Sequence, residues 1–182
     1  VVDFMKEKNY APDIATYSIL IHGFCTTGQL DNAYKWVENM KKDGFALNVF
    51  TFNALIHGLF KAGKFSEAGR LFDTMVHQGC TPDVATYNLM MFYLLKADML
   101  WQACEVFLRC LQRGCIPDRG MYRTFVIGML DANKRLVDTR LSESSSRMSP
   151  VLGLLKSHLR SLHEMGRHDV ALKLQRDMRI SD

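Results

Sequence analysis

VFTFNALIHGLFKAGKFSEAGRLFDTMVHQGCTPD, residues 49–83, contains two helix patterns separated by one stop signal. From about Phe50 to Lys61, the residues Phe52, Leu55, Ile56, Leu59 and Phe60 share one stripe of a 3.6-residue period. Ala62-Gly63-Lys64 is a stop and a turn, because glycine accepts the backbone conformation that ends a helix. A second pattern runs from about Ser66 to Gln78 with Ala68, Leu71, Phe72 and Met75 apolar; Gly79 ends it and Pro82 follows. Gly63 and Ala68 are small, as a close contact between the paired helices requires. Such a hairpin cannot bury both of its faces alone, so it needs neighbours of its own kind.

Those neighbours are present in the chain. Tyr17, Phe52, Tyr87 and Tyr122 recur at a step of 35 residues. Ala33, Ala68 and Ala103 keep the same step, as do Gly44, Gly79 and Gly114. Met5, Met40 and Met75 are continued by Cys110, and Pro12, Pro82 and Pro117 are joined by Leu47 in the missing place. Several residue classes in one register define a repeat. Complete units occupy 14–48, 49–83 and 84–118, and residues 1–13 align with the end of a further unit. The sequence therefore predicts an all-α fold, an α-solenoid of stacked helix-turn-helix hairpins, with more repeats upstream. Beyond 118 the pattern decays: 119–150 reads as a degenerate repeat and a Ser-rich loop, SESSSRMSP at 142–150. A polar terminal hairpin follows at 151–182, where Gly166, Ala171 and Met178 keep the mutual spacing of Gly28, Ala33 and Met40.

Composition narrows the function. With 182 residues, 48% of them hydrophobic, the chain suits one domain or a short array, and no apolar run approaches the 18 residues of a membrane span. Cys25, Cys80, Cys104, Cys110 and Cys115 contain no C-x-x-C pair, which reads as reduced thiols without a zinc site. Gly58 to Lys64 imitates a phosphate loop, but Phe65 stands where Ser or Thr is required and no strand precedes it. His163-Glu164-Met165-Gly166-Arg167-His168 is one residue too long for the zinc-protease motif. Neither half of the zinc-deaminase signature occurs. No catalytic constellation remains, and no cofactor is expected. Trp36 and Trp101, on second helices among apolar neighbours, read as core.

Units 49–83, 14–48 (IATYSILIHGFCTTGQLDNAYKWVENMKKDGFALN) and 84–118 (VATYNLMMFYLLKADMLWQACEVFLRCLQRGCIPD) resemble the pentatricopeptide repeat family, in its class of uniform 35-residue repeats. The resemblance is close over 1–118 and loose over 119–182. It implies a protein that works on RNA in plant mitochondria or plastids, the mitochondrion ahead of the plastid. It also implies reading of single-stranded RNA at one base per unit, by a side chain in the first turn of the first helix and by the last residue of the unit. These pairs are Ser18 with Asn48, Asn53 with Asp83, and Asn88 with Asp118. Their chemistry suits the task, since Asn both donates and accepts while Asp only accepts. The resemblance assigns adenine to the first pair and uracil to the other two, giving 5′-A-U-U-3′. Asp13, Asn48, Asp83 and Asp118 also each precede a helix, where they suit the N-cap.

By the same resemblance each base is sandwiched by Ala15, Phe50 and Ala85, with Gly120 next in line. Alanine and glycine offer little surface, so stacking should lie at the low end of about 1–3 kcal/mol per base. Arg123 stands in the reader register and points to a phosphate contact instead of a base. Units 14–118 hold nine Lys/Arg against nine Asp/Glu, while 119–182 hold twelve against seven. The array itself is thus no electrostatic trap for RNA, and the basic tail either adds sequence-independent affinity or is a solvated surface. The competing expectation is a protein-interaction scaffold, such as a subunit of an organellar ribosome.

Overall fold

The computed structural model describes residues 11–125, 127, 128, 156, 160 and 172. The tail hairpin, the Ser-rich loop, the histidine pair at 163 and 168, and residues 1–10 lie outside the described residues. Six helices of equal length follow in order: α1 (Ile14–Thr26), α2 (Leu30–Lys42), α3 (Val49–Lys61), α4 (Phe65–His77), α5 (Val84–Lys96) and α6 (Leu100–Gln112). A seventh, α7, opens at 119, and no strand occurs among the described residues.

The first helices of the hairpins start and stop for reasons visible in the chain. Asp13 and Asn48 cap α1 and α3, accepting from the backbone N–H of Thr16 at 2.7 Å and of Thr51 at 2.9 Å. Within each hairpin the first helix ends in paired bonds that reach back across the turn. Gly63 N–H donates to Phe60 at 3.0 Å and Lys64 N–H to Leu59 at 2.9 Å. Gly63 sits at φ +73, and a Cβ there would meet nothing within 4 Å. Its smallness therefore serves the left-handed turn, not the helix contact expected from sequence. The contact glycine is Gly58: a Cβ on it would lie 2.9 Å from Leu30 Cδ2 and 3.0 Å from Cys25 Cβ.

Contacts group the chain into two compact units, Val1–Leu89 and Met90–Asp182, with the boundary inside α5. In the first unit α1 packs on both α2 and α3, and α3 packs on α4. Being covered on several sides, α3 buries Phe52, Leu55, Ile56, Leu59 and Phe60 as well as the smaller Thr51, Ala54 and Gly58. The second helices bury one narrow stripe, Leu30, Ala33, Val37 and Met40 on α2 and Ala68, Phe72 and Met75 on α4. Tyr17 donates from its hydroxyl to Asp43 beyond the end of α2, and burial together with that carboxylate pushes the phenol up to about 12. In the second unit Phe107 stacks on Phe125 with ring centroids 4.3 Å apart, and Cys110 lies 3.8 Å from the sulfur of Met121. Burial holds the Cys25 and Cys104 thiols up at about 11, so neither is a thiolate at neutral pH.

Candidate nucleic-acid interface

The last residue of each unit is an N-cap, and its geometry leaves it a second task. Asn48 Oδ1 accepts from both the N–H and the hydroxyl of Thr51, each at 2.9 Å. Asp83 Oδ1 accepts from the N–H of Thr86 at 2.7 Å and from its hydroxyl at 2.8 Å. Asp118 Oδ1 takes the N–H of Met121 at 2.7 Å. Capping thus engages one terminal atom of each side chain. The other, an amide nitrogen in Asn48 and a carboxylate oxygen in the aspartates, is held in a fixed direction by the same bonds. Capping and base reading are compatible in one residue.

The residues in the first turn of the first helices differ. Ser18 is buried and its hydroxyl is engaged. It donates to the Ile14 carbonyl at 2.7 Å, lies 3.0 Å from Thr51 Oγ1, and accepts from Asn48 Nδ2 at 3.4 Å. With the Ser18 proton on the Ile14 carbonyl and the Thr51 hydroxyl proton on Asn48 Oδ1, the Ser18–Thr51 approach is a close contact and the Asn48 amide is the donor that Ser18 accepts. The structure therefore brings the predicted pair Ser18 and Asn48 into direct contact. Asn53 and Asn88, in the same register, each carry a buried Oδ1 with no hydrogen-bond partner among the described residues. No bond joins Asn53 to Asp83 among the described residues.

The readers belong to longer stripes. On α1 the helical period aligns Ala15, Ser18, His22 and Thr26; on α3 it aligns Phe50, Asn53, His57 and Lys61. Two contacts show these stripes lie side by side. The His22 and Phe50 rings are 5.3 Å apart, and Lys61 Nζ donates to the Thr26 carbonyl at 2.9 Å. Phe50 is 49% exposed, so its ring presents a face to solvent, while Ala15 and Ala85 are exposed but short. Burial, then Lys61 and His22, lowers the pKa of His57 below its ordinary value. On α5 the stripe is Ala85, Asn88, Phe92 and Lys96, and on α7 it is Gly120, Arg123 and Ile127. Arg123 is exposed.

Sequence reasoning stopped at the reader row and missed the row one turn further on, His22, His57, Phe92 and Ile127. Its signal was available, since these four also stand 35 residues apart. Trp36 does pack on Tyr17, ring centroids 5.9 Å apart, but Trp101 is 55% exposed and not core. It stands at the start of α6, outside the buried set Ala103, Phe107 and Cys110. The Gly58 to Lys64 segment is the last turn of α3 and its stop, not a phosphate loop. Among the described residues no group of His, Cys, Asp or Glu is placed to hold a metal ion.

Comparison with known proteins gives a consistent answer. The model of the PPR repeat family matches residues 12–61 and 47–92, and the PPR repeat model matches 85–115. No curated protein matches. The crystal structure of the pentatricopeptide repeat protein PPR10 from maize is similar at a TM-score of 0.63 and 26% identity, over 97% of this chain and 26% of that one. The chain thus spans about a quarter of the length of that relative. PPR10 in complex with an 18-nt psaJ RNA element is similar at 0.66 and 26% identity, over 82% of this chain and 22% of that one. The PPR domain of Arabidopsis thaliana protein-only RNase P 1, in complex with tRNA, shares the fold at 0.58 and 17% identity, over 82% and 84%. With three hairpins in one register and family models covering 12–115, the chain belongs to the pentatricopeptide repeat family.

Proposed function

We propose that the chain binds single-stranded RNA at one base per hairpin, through Ser18 with Asn48, Asn53 with Asp83, and Asn88 with Asp118. The observation that carries this is the pair of buried, unpartnered Oδ1 atoms on Asn53 and Asn88. A buried acceptor without a partner costs about 1–3 kcal/mol. Alanine at either position would remove that cost and favour the helix. Two such atoms in one register, in a family with an RNA-bound member, are accounted for by a ligand that supplies the missing bond. The triplet is 5′-A-U-U-3′, and Phe50 supplies the largest stacking surface beside it. The protein acts by occupying RNA, which shields a site from nucleases, exposes a translation start or guides processing. The proposed compartment is a mitochondrion or plastid.

The test is binding of the chain to short RNAs at fixed salt, with the triplet changed one base at a time. A mismatch opposite Asn53 or Asn88 is expected to cost about 1–3 kcal/mol. Replacing either asparagine should move the preference at that base alone. Affinity indifferent to both changes refutes base reading and leaves a protein-interaction scaffold.

A further inference from the structure

The second helix of each hairpin ends in the same backbone bond. Phe45 N–H donates to the Met40 carbonyl at 3.0 Å, Cys80 N–H to Met75 at 3.0 Å, and Cys115 N–H to Cys110 at 3.1 Å. The chain turns back through a left-handed glycine, Gly114 at φ +72 in the third hairpin. This turn sets the side chain that follows it against the one five residues earlier. The pair is Met40 with Phe45 in the first hairpin and Met75 with Cys80 in the second, but Cys110 with Cys115 in the third. The backbone bond holds the Cα atoms of Cys110 and Cys115 no more than about 7 Å apart, within reach of a disulfide. Their thiols are hydrogen-bonded to each other. Two thiols bury less apolar surface than a methionine and a phenylalanine, so packing does not account for them. On its other side Cys110 faces α7. Its Sγ lies 3.8 Å from Met121 Sδ, and Met121 N–H donates to Asp118 Oδ1 at 2.7 Å. The sulfur pair therefore stands behind the cap that heads α7.

We infer that Cys110 and Cys115 form a thiol–disulfide switch, reduced at rest and oxidised by a small disulfide of the glutathione type, that acts on the Asp118 cap. Cys115 is half-buried and Cys110 fully buried, so Cys115 meets the oxidant. Its thiolate attacks one sulfur of oxidised glutathione, a mixed disulfide forms, and one glutathione leaves as a thiolate. Cys110 then attacks the Cys115 sulfur, the protein disulfide forms, and the second glutathione leaves. The two cysteine protons pass through solvent to the two leaving thiolates, and the oxidant takes up the two electrons that the cysteines give. Burial, then the adjacent Cys115, holds the Cys110 thiol well above its ordinary value, which leaves the first attack to Cys115. Once bonded to Cys115, the Cys110 sulfur is drawn away from Met121, and the cap loses the contact behind it. Asp118 is also the proposed reader partner of Asn88. The effect on RNA rests on that reading; the thiol chemistry does not.

The experiment equilibrates the chain with oxidised glutathione, maps the products by peptide mass, and follows amide exchange at Met121. Cys80→Ser removes the other half-buried thiol, and in that background the product should be a 110–115 bond with no glutathione retained. The parent chain should form the same bond and carry glutathione on Cys80, whose neighbour Met75 cannot displace it. Cys110→Ser should stop at a glutathione adduct on Cys115, and Cys115→Ser should leave Cys110 unreacted. On oxidation, exchange at Met121 should quicken about tenfold, while Thr51, at the Asn48 cap, holds its rate. In a second arm with A-U-U RNA, oxidation should weaken the preference at the third base alone, and dithiothreitol should restore it. A glutathione adduct that persists on Cys115 of the parent chain, or a bond that leaves Met121 exchange unchanged, overturns the switch. A bond and faster Met121 exchange with every base indifferent uphold the switch and refute base reading alone.

Discussion

Hairpins 14–48 and 49–83 share a length, a helix pattern and a turn, yet their readers stand in opposite states. In the first, Ser18 is closed upon Asn48, Thr51 and its own helix. In the second, Asn53 has a buried oxygen without a hydrogen-bond partner among the described residues, and the Asp83 side chain accepts through its capping oxygen. On the proposed reading, a base entering the first hairpin must displace existing bonds, whereas a base entering the second completes one. The scaffold is therefore uniform while the cost of binding is not. The asparagine units should contribute more net affinity than the serine unit.

The largest expected effect comes from substituting alanine at both readers. Ser18→Ala removes a buried hydroxyl that donates to Ile14 and accepts from Asn48, and should destabilise the fold by about 1 kcal/mol. Asn53→Ala removes an unpaired buried oxygen and improves helix propensity, and should stabilise it by about 1–2 kcal/mol. Denaturant unfolding of the two variants should thus place their midpoints on opposite sides of the parent. RNA affinity should move the other way, with Asn53→Ala losing more than Ser18→Ala. Equal signs in the unfolding data would show that the two readers do not differ in the free state.

A second same-register pair tests the scaffold. Gly23 and Gly58 stand 35 residues apart on α1 and α3. A Cβ at Gly23 would meet nothing within 4 Å, while at Gly58 it would press on Leu30 and Cys25. Gly23→Ala should therefore gain about 1 kcal/mol from propensity alone. Gly58→Ala has the same gain set against an overpacking cost of about 1–3 kcal/mol and should lose about 1 kcal/mol net. Thermal midpoints of the two variants check this, and a stabilised Gly58→Ala would mean that α1 and α3 yield easily at this contact.

These pairs mark where the sequence could be read and where it could not. The helices, their stops and their order follow from apolar spacing and glycine position, which act locally. The helix lengths of 49–83 were legible to within one residue at each end. Gly58 and Gly63 were confused because both are simply small in a sequence. Only coordinates separate a glycine needed for φ from one needed for clearance. The proposed reader positions follow from their register, but the bonding state of their side chains does not. Whether Ser18 meets Asn48 depends on the approach of α1 and α3, a contact over 30 residues that no local pattern encodes. Trp101 misled for a related reason, because apolar neighbours in sequence do not fix which side of a helix faces the core.

The smallest effect separates the caps of the two hairpins by pH. Asp13 heads α1 and Asn48 heads α3, each accepting from the third helical threonine through both its N–H and its hydroxyl. The Thr16 hydroxyl, then its N–H, lowers the Asp13 pKa below the ordinary 3.8. A carboxylate depressed in the folded state stabilises it fully above the unfolded value. That contribution is lost as pH falls below about 4 through the folded pKa. Asn48 does not titrate, so the head of α3 should not respond. Amide exchange at Thr16 and Thr51 on the acid side reads both caps in one sample. Protection at Thr16 should fall with pH while Thr51 follows only the intrinsic exchange rate, and Asp13→Asn should abolish the difference. Parallel loss at both amides would show that α1 and α3 open as one unit, and the caps would then stabilise the hairpin pair instead of separate helices.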